Sequence, residues 1–200
     1  MVRNGSGVRD DARLEDPHRP VRAQPAGRHH LGAGQTPTAE VAAERALEAA
    51  RSIHYREGEL SALNLLGRVR LSTLRLEEAT DCLRSALSIA AETNHRGALC
   101  ETVESLALAA AGSGRHEHAY LLLRASARDR TRLGLHLPSF EASAVRETET
   151  TTATVLGAAA GLVEARVNFL RFDDLVRELL PAPATVTPHS SLMRPARTWL

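Results

Sequence analysis

The apolar residues between positions 38 and 133 recur every three or four residues, which is the spacing of one face of an α-helix. Thr38 suits the N-cap of a first helix that ends near His54, and the same spacing predicts four further helices. Their expected bounds are Glu57–Thr73, Leu76–Thr93, Gly97–Ala111 and His116–Leu133. The apolar stripe of the first helix is predicted at Ala42, Ala46, Ala49 and Ile53.

The helical pattern repeats itself after 40 residues. Seven residues return 40 positions later: Arg56, Leu66, Arg75, Glu77, Ala79, Leu83 and Arg84 recur as Arg96, Leu106, Arg115, Glu117, Ala119, Leu123 and Arg124. An incomplete third copy precedes them, in which Ala39, Ala46, Leu47 and Ala50 match Ala79, Ala86, Leu87 and Ala90. A fixed period of this size indicates stacked units that bury their apolar faces against one another. We therefore expect an all-α fold, a right-handed α-solenoid of antiparallel helix pairs over residues 38–136.

Small residues recur at fixed steps of each helix pair, where they allow two antiparallel helices to approach closely. A leucine between them is expected to fill the groove. The predicted packing residues are Gly67, Ala79, Leu83 and Ala86 in one unit and Ala107, Ala119, Leu123 and Ser126 in the next. The helix ends repeat as well, because His54, Asn94 and Gly134 lie one period apart and all tolerate the left-handed conformation that ends helices.

The pattern of Leu66-Gly67, Ala79, Leu83 and Ala86 resembles the tetratricopeptide repeat, in the variant of about 40 residues found in MalT-like regulators. A second resemblance covers Arg132 to Leu180, which is similar to the segment that closes the repeat region in LuxR-type and related ATPase-bearing bacterial transcriptional regulators. It is carried by residues 132–138, by Leu156-Gly157 and by residues 170–176. In that family this part is a helical arm that follows an NTPase module. Because the chain has no phosphate-binding loop and no recognisable helix-turn-helix, the resemblance implies an isolated arm without ATPase or DNA-reading activity.

Composition supports a helical array and excludes some chemistry. Apolar residues make up 43% of the chain, mostly as Ala and Leu, whereas aromatic residues make up only 3%, too few for a typical β-sandwich or β-barrel. The net charge of +1 gives no strong attraction to nucleic acid or membrane lipid. All 25 basic residues are arginine, and without lysine neither a phosphate-binding loop nor a pyridoxal Schiff base can form. We expect no cofactor and no nucleotide.

A few residue clusters invite a chemical interpretation. His116-Glu117-His118 has the composition of a metal site, but two histidines two residues apart on a helix point in different directions, and we predict no metal. Cys82 and Cys100 are expected to be buried thiols in adjacent helices, with a disulfide open if the helices juxtapose them. The threonine-rich segment 148–152 is either a weak helix, which we favour, or a flexible patch open to phosphorylation.

The two ends of the chain differ from its middle. Residues 1–37 mix Arg, Gly, Pro, Asp and His without an apolar period, and residues 181–200 are rich in proline. Both segments are predicted to be disordered, on either side of the repeats and of a helical closing segment at 137–180. The longest stretch of small apolar residues, 153–163, is far shorter than the roughly 20 residues that span a bilayer. Together with the lack of a secretory signal, this predicts a cytoplasmic protein without membrane contact.

The expected function is protein–protein interaction through the first helix of each unit. The predicted partner-binding residues share one face by their helical spacing: Ser61, Asn64, Arg68, Glu101, Glu104 and Leu108. The alternative is that Arg68 merely pairs with Glu104 across the seam between units. We expect a non-catalytic module, either a truncated regulator or a purpose-built adaptor, whose partner is a transcriptional regulator or a second copy of the chain. A second function remains open, regulation of transcription through a partner's DNA-binding domain, without direct contact with nucleic acid.

Overall fold

The computed structural model describes residues 36–137 and 139–180, and within them the regular secondary structure is α-helical throughout. The helices are α1 (Thr36–Ser52), α2 (Arg56–Ser72), α3 (Leu76–Glu92), α4 (Arg96–Gly112), α5 (His116–Leu133), α6 (Ser139–Leu156), α7 (Ala159–Phe169) and α8 (Phe172–Leu179). The all-α prediction is confirmed. The predictions for residues 1–35 and 181–200 lie outside the described residues, whereas Thr36 and Pro37, expected in the disordered segment, belong to α1.

The first five helices follow a period of 20 residues. Each of α1 to α4 is 17 residues long and is followed by three connecting residues. The second connecting residue adopts a left-handed conformation, with φ of 54° at His54, 61° at Leu74, 52° at Asn94 and 76° at Gly114. Gly134 after α5 does the same, at 65°. The predicted left-handed helix ends at His54, Asn94 and Gly134 are confirmed.

The same hydrogen bonds close each of these helices. The residue after the left-handed position donates its N–H to the carbonyl five residues earlier, as Tyr55 does to Ala50 at 2.8 Å and His95 does to Ala90 at 2.9 Å. The left-handed residue itself donates to the carbonyl three residues earlier. This pair of bonds is the Schellman motif, which satisfies the last carbonyls of a helix. Two such helix-and-turn halves make up the 40-residue unit seen in the sequence.

Consecutive helices pack against each other from α1 to α7, and the three-residue turns require neighbours in α1–α5 to run antiparallel. Helix α2 also contacts α4, and α4 contacts α6, so that alternate helices meet as in a stack of repeats. Helix α8 returns to contact α3 and α5. This arrangement is consistent with the predicted repeat architecture, and the right-handed solenoid stays a prediction.

The core lies along the seams between these helices. Leu66, Leu83, Leu87, Leu122 and Leu123 are 0–2% exposed. The eight packing residues named from the sequence are all buried: Gly67, Ala79, Leu83, Ala86, Ala107, Ala119, Leu123 and Ser126. At Gly67 a Cβ atom would lie 2.6 Å from Cγ of Leu83, so the leucine fills the space beside the glycine and would have to shift to admit a side chain there.

The buried face of α1 differs from the predicted one. The expected stripe of Ala42, Ala46, Ala49 and Ile53 is exposed. Instead, α1 buries Ala43 and Ala50 and half-buries Leu47, because the helix it packs against is α2. The prediction was wrong because it assumed that the stripe with the most regular spacing would be the one in contact.

The threonine-rich segment is part of α6, so the interpretation as a helix is confirmed. Thr148 and Thr152 are buried, and the Thr152 hydroxyl donates to the Thr148 carbonyl at 2.7 Å. Thr150 and Thr154 donate in the same way to carbonyls four residues earlier. These three hydroxyls, which could otherwise compete for backbone groups, are thus satisfied inside the helix, whereas the buried hydroxyl of Thr148 has no hydrogen-bond partner among the described residues. None of the helices described here is both long enough and apolar enough to cross a membrane.

Candidate functional site

Two of the six predicted partner-binding residues lie inside the fold. Asn64 on α2 is 4% exposed, and its Oδ1 accepts a hydrogen bond from the hydroxyl of Thr102 on α4 at 2.9 Å. Glu104 on α4 is also 4% exposed. Their polar atoms therefore hold α2, α4 and α5 together and are not available to a partner.

The carboxylate of Glu104 is fully used by α5. Its two oxygens accept from Arg130, at 2.6 Å from Nε and 2.9 Å from Nη2, and Oε1 also accepts from the hydroxyl of Ser126 at 2.6 Å. Arg68 pairs instead with Glu101, at 2.9 Å. The expected pairing of Arg68 with Glu104 is therefore wrong, because Glu104 turns toward the helix of its own unit.

The other four predicted residues reach solvent to different extents. Ser61 is exposed, whereas Arg68, Glu101 and Leu108 are half-buried. Helix α6 packs against α4, the helix that carries Glu101 and Leu108. The structure thus brings Arg68 and Glu101 together as a half-buried ion pair between α2 and α4.

Helix α7 carries an exposed apolar surface that was not predicted from the sequence. Leu162 is 71% exposed and Phe169 is 90% exposed. With the exposed Ala158 and Ala165 they follow a helical spacing of four, three and four residues, and we call this stripe the α7 face. The opposite side of the same helix is buried through Val163 and Val167. Helix α7 is therefore apolar on two sides and uses only one of them in the described fold.

A cavity of about 230 Å³ lies between α5 and the α7–α8 turn, which follows Phe169 in the chain. We call it the arginine cavity, since it is lined by four arginines and two aspartates: Arg96, Arg128, Arg132, Arg171, Asp129 and Asp173. The ring of Phe172 forms part of its wall. Four positive and two negative charges give the cavity a net charge of +2, which favours anionic groups.

Most of these charges are held in place by one another. Arg96 bonds to Asp129 at 2.7 Å and to Asp173, and its guanidinium lies 5.4 Å from the centre of the Phe172 ring. The hydrogen bond from Arg96 keeps the pKa of Asp173 below its usual range. Arg132 pairs with Asp129 at 2.8 Å. Arg171 is exposed and has no ion-pair partner within the described residues.

Arg128 completes the arrangement by bonding to the carbonyl of Val167, near the end of α7. Cationic side chains are favourable at a helix C-terminus, where carbonyls carry partial negative charge. The contact fixes the end of α7 against α5 and places Phe169 next to the turn that carries Leu170 and Arg171. Phe169, the last residue of the apolar strip, is therefore followed directly in the chain by Leu170 and Arg171, which line the cationic cavity.

The cysteines are free and buried, which confirms their interpretation as two thiols. Burial raises the pKa of Cys100 to about 11, so it is protonated and unreactive at neutral pH. His116 and Glu117 begin α5, and over residues 36–137 and 139–180 no group of three or more His, Cys, Asp or Glu is placed to hold a metal ion.

Comparison of the chain with protein-family models, with curated proteins and with solved structures finds no match. The resemblances to tetratricopeptide repeats and to LuxR-type regulators therefore stay predictions. One sequence signal could have revealed the α7 face. The segment from Ala158 to Phe169 offers two apolar stripes at helical spacing, of which a single neighbouring helix can cover only one.

Proposed function

We propose that the chain is a non-catalytic protein–protein interaction module that binds its partner through the α7 face. The observation that carries this proposal is the exposure of Leu162 and Phe169 on a helix whose other side is already packed. A contiguous exposed apolar strip rimmed by polar residues is typical of a surface that another protein covers. Single exposed apolar residues need no such explanation, but four at helical spacing do.

The neighbouring arginine cavity defines the chemistry of the partner. An acidic amphipathic segment would place its apolar side chains on Leu162 and Phe169 and its carboxylates near Arg171 and Arg132. Arginine is suited to this role because its planar guanidinium bonds a carboxylate through two parallel N–H groups. Electrostatic attraction toward the cavity would set the orientation of the segment, and burial of the apolar side chains would supply most of the affinity.

The finer proposal follows the sequence resemblance: a cytoplasmic helical arm of the kind found in bacterial transcriptional regulators. Its support is the repeated helical hairpin with its closing helices α6 to α8, since that is the arrangement the resemblance implies. The second candidate function, transcription regulation through a partner's DNA-binding domain, differs only in the identity of the protein bound.

Affinity capture from a lysate of the source cells tests the proposal with three baits: the unaltered full chain, a Leu162→Ser/Phe169→Ser variant and a control, Val155→Ser. Val155 is 52% exposed but lies outside the α7 face. Each buried large apolar side chain contributes about 1.5–3 kcal/mol, so losing two weakens binding at least about a hundredfold. We expect a protein that the unaltered chain and the control retain and the double variant loses.

The proposal is contradicted if the double variant retains the same proteins as the control. Arg171→Gln provides a second readout, because its effect on the same protein should shrink as the salt concentration rises. A nuclease treatment then separates the two candidate functions. If the captured protein binds DNA and remains on the chain after nuclease treatment, regulation through that partner is supported.

A further inference from the structure

Helices α1, α3 and α5 each form the second half of a 40-residue unit. One side of α1 is open, whereas the corresponding side is covered in α3 and α5. Three positions lie on this side of each helix, and equivalent positions are 40 residues apart. In the order α1, α3 and α5, the equivalent residues are Ala42, Cys82 and Leu122 at the first position, Ala46, Ala86 and Ser126 at the second, and Ala49, Ile89 and Asp129 at the third. The members in α3 and α5 are all 9% exposed or less. The members in α1 are all exposed. The repeat therefore continues through α1, but one of its contacts is open.

In the two complete units this side is covered by the helix that comes just before. Arg70 of α2 bonds to the sulfur of Cys82 at 3.1 Å, and Glu104 of α4 bonds to Ser126. Helices α2 and α4 each reach this place through a three-residue turn. By the same rule, the open side of α1 belongs to the segment that directly precedes Thr36.

We propose that residues 25–35 of this chain dock on the open side of α1, in the place that α2 holds on α3. The sequence before α1 keeps the register of the first helices. Residue 34, which lies 20 positions before the left-handed His54, is a glycine. Gly27 and Leu31 lie 40 positions before the buried Gly67 and Leu71. These are the positions at which α2 is packed.

Proline sets how far the docked segment extends. Proline is accepted at the first position of a helix but not inside it. A helix that begins at Pro25 and ends before Gly34 has nine residues and a length of about 14 Å, against about 25 Å for α1. Because Arg70 meets Cys82 in the antiparallel pair of α2 and α3, residue 30 would lie opposite Ala42. The docked segment thus covers Ala42 and leaves Ala49 and Ile53 free.

The size of the surface favours a tethered occupant over a second copy of the chain. A stripe about 25 Å long and about 10 Å wide offers about 250 Å², well below the roughly 800 Å² that each partner of a stable dimer buries. A segment joined directly to α1 needs less area, because a short tether gives an effective concentration in the millimolar range. This inference does not depend on the α7 face.

Thiol labelling of the full chain tests the proposal with two cysteine variants on one stripe, Ala42→Cys and its matched control Ala49→Cys. Both positions are exposed alanines of the same helix, and Cys82 and Cys100 are buried. The rate of reaction with a maleimide, followed by mass spectrometry, is divided by the rate in denaturant to remove differences in intrinsic reactivity. We expect Ala42→Cys to react at least about tenfold more slowly than Ala49→Cys at every protein concentration.

Adding Leu31→Asp should raise the rate of Ala42→Cys to that of Ala49→Cys, because a charge at the packed position prevents docking. Equal rates at the two sites without that substitution overturn the proposal. Slow labelling at both cysteine positions that becomes fast when the protein is diluted also overturns the proposal, because it identifies a second copy of the chain as the occupant. Loss of helical circular dichroism marks a variant that does not fold, and Ala46→Cys, one turn along the same stripe, then replaces Ala42→Cys.

Discussion

Removing the charge of Glu104 should destabilise the protein more than any other single change to its ion pairs. Its carboxylate and the guanidinium of Arg130 are only 5% and 9% exposed. Glu104→Gln would break this buried ion pair by removing the charge of the carboxylate that holds the guanidinium through two hydrogen bonds, which costs about 3–5 kcal/mol. The matched change Glu101→Gln breaks the half-exposed pair with Arg68, where solvent screens both charges, and costs about 0.2–1 kcal/mol.

Urea unfolding followed by circular dichroism measures both free energies of unfolding, with an unchanged slope showing that the same surface is exposed. A double variant, Glu104→Leu/Arg130→Met, replaces the buried pair with apolar groups of similar size and should recover most of the lost stability. It keeps the test decisive if Glu104→Gln fails to fold. Equal losses for Glu104→Gln and Glu101→Gln would refute the reasoning, because burial would then have no influence on the cost of breaking an ion pair.

Three further predictions concern close packing, backbone strain and charge. Gly67→Ala should lower the free energy of unfolding by about 1–3 kcal/mol, because its Cβ would lie 2.6 Å from a leucine of α3. Gly97→Ala, whose Cβ would have no neighbour nearer than 3.6 Å, should raise the free energy of unfolding by about 0.5–1 kcal/mol. If thermal denaturation shows that both glycine variants shift stability in the same direction, this account is contradicted. Leu74→Gly should raise the free energy of unfolding by up to about 1 kcal/mol by relieving the left-handed backbone, φ 61°, and a loss of stability speaks against strain there. Arg96 lowers the pKa of Asp173, so NMR titration of the Arg96→Gln variant should find this pKa at its ordinary value, and an unchanged pKa contradicts the pairing. The stability that Asp173 contributes is present above its unfolded-state pKa and is lost as the pH falls through its lower folded-state pKa.

The helices could be predicted closely because two sequence signals agree. Apolar spacing gives the length of each helix, and turn residues such as His54 and Asn94 fix its end, so the bounds of α5 are identical to the predicted ones and those of α3 differ by one residue. The left-handed Leu74 could not be predicted from its residue type, since leucine rarely adopts that conformation. Only its position, midway between the two other turns, could have revealed it.

The candidate site was less predictable because it depends on which side of a helix meets a neighbour. Glu104 has the spacing of a surface residue, and its burial follows from the arginine that α5 places opposite it. On α7 the stripe with Val163 is as apolar as the stripe with Phe169, and only packing decides which is covered. Sequence periodicity gives the direction of each side chain relative to its own helix, but not the positions of the other helices.

The central claim is that residues 40 positions apart occupy equivalent places in a repeated helical hairpin. NMR distance contacts in the full chain test it directly at two pairs. If the claim holds, the methyl groups of Leu83 show strong contacts with Gly67, and those of Leu123 show contacts of similar strength with Ala107. If only one of these pairs, or neither, is in contact, the two hairpins are not equivalent and the repeat does not describe the fold.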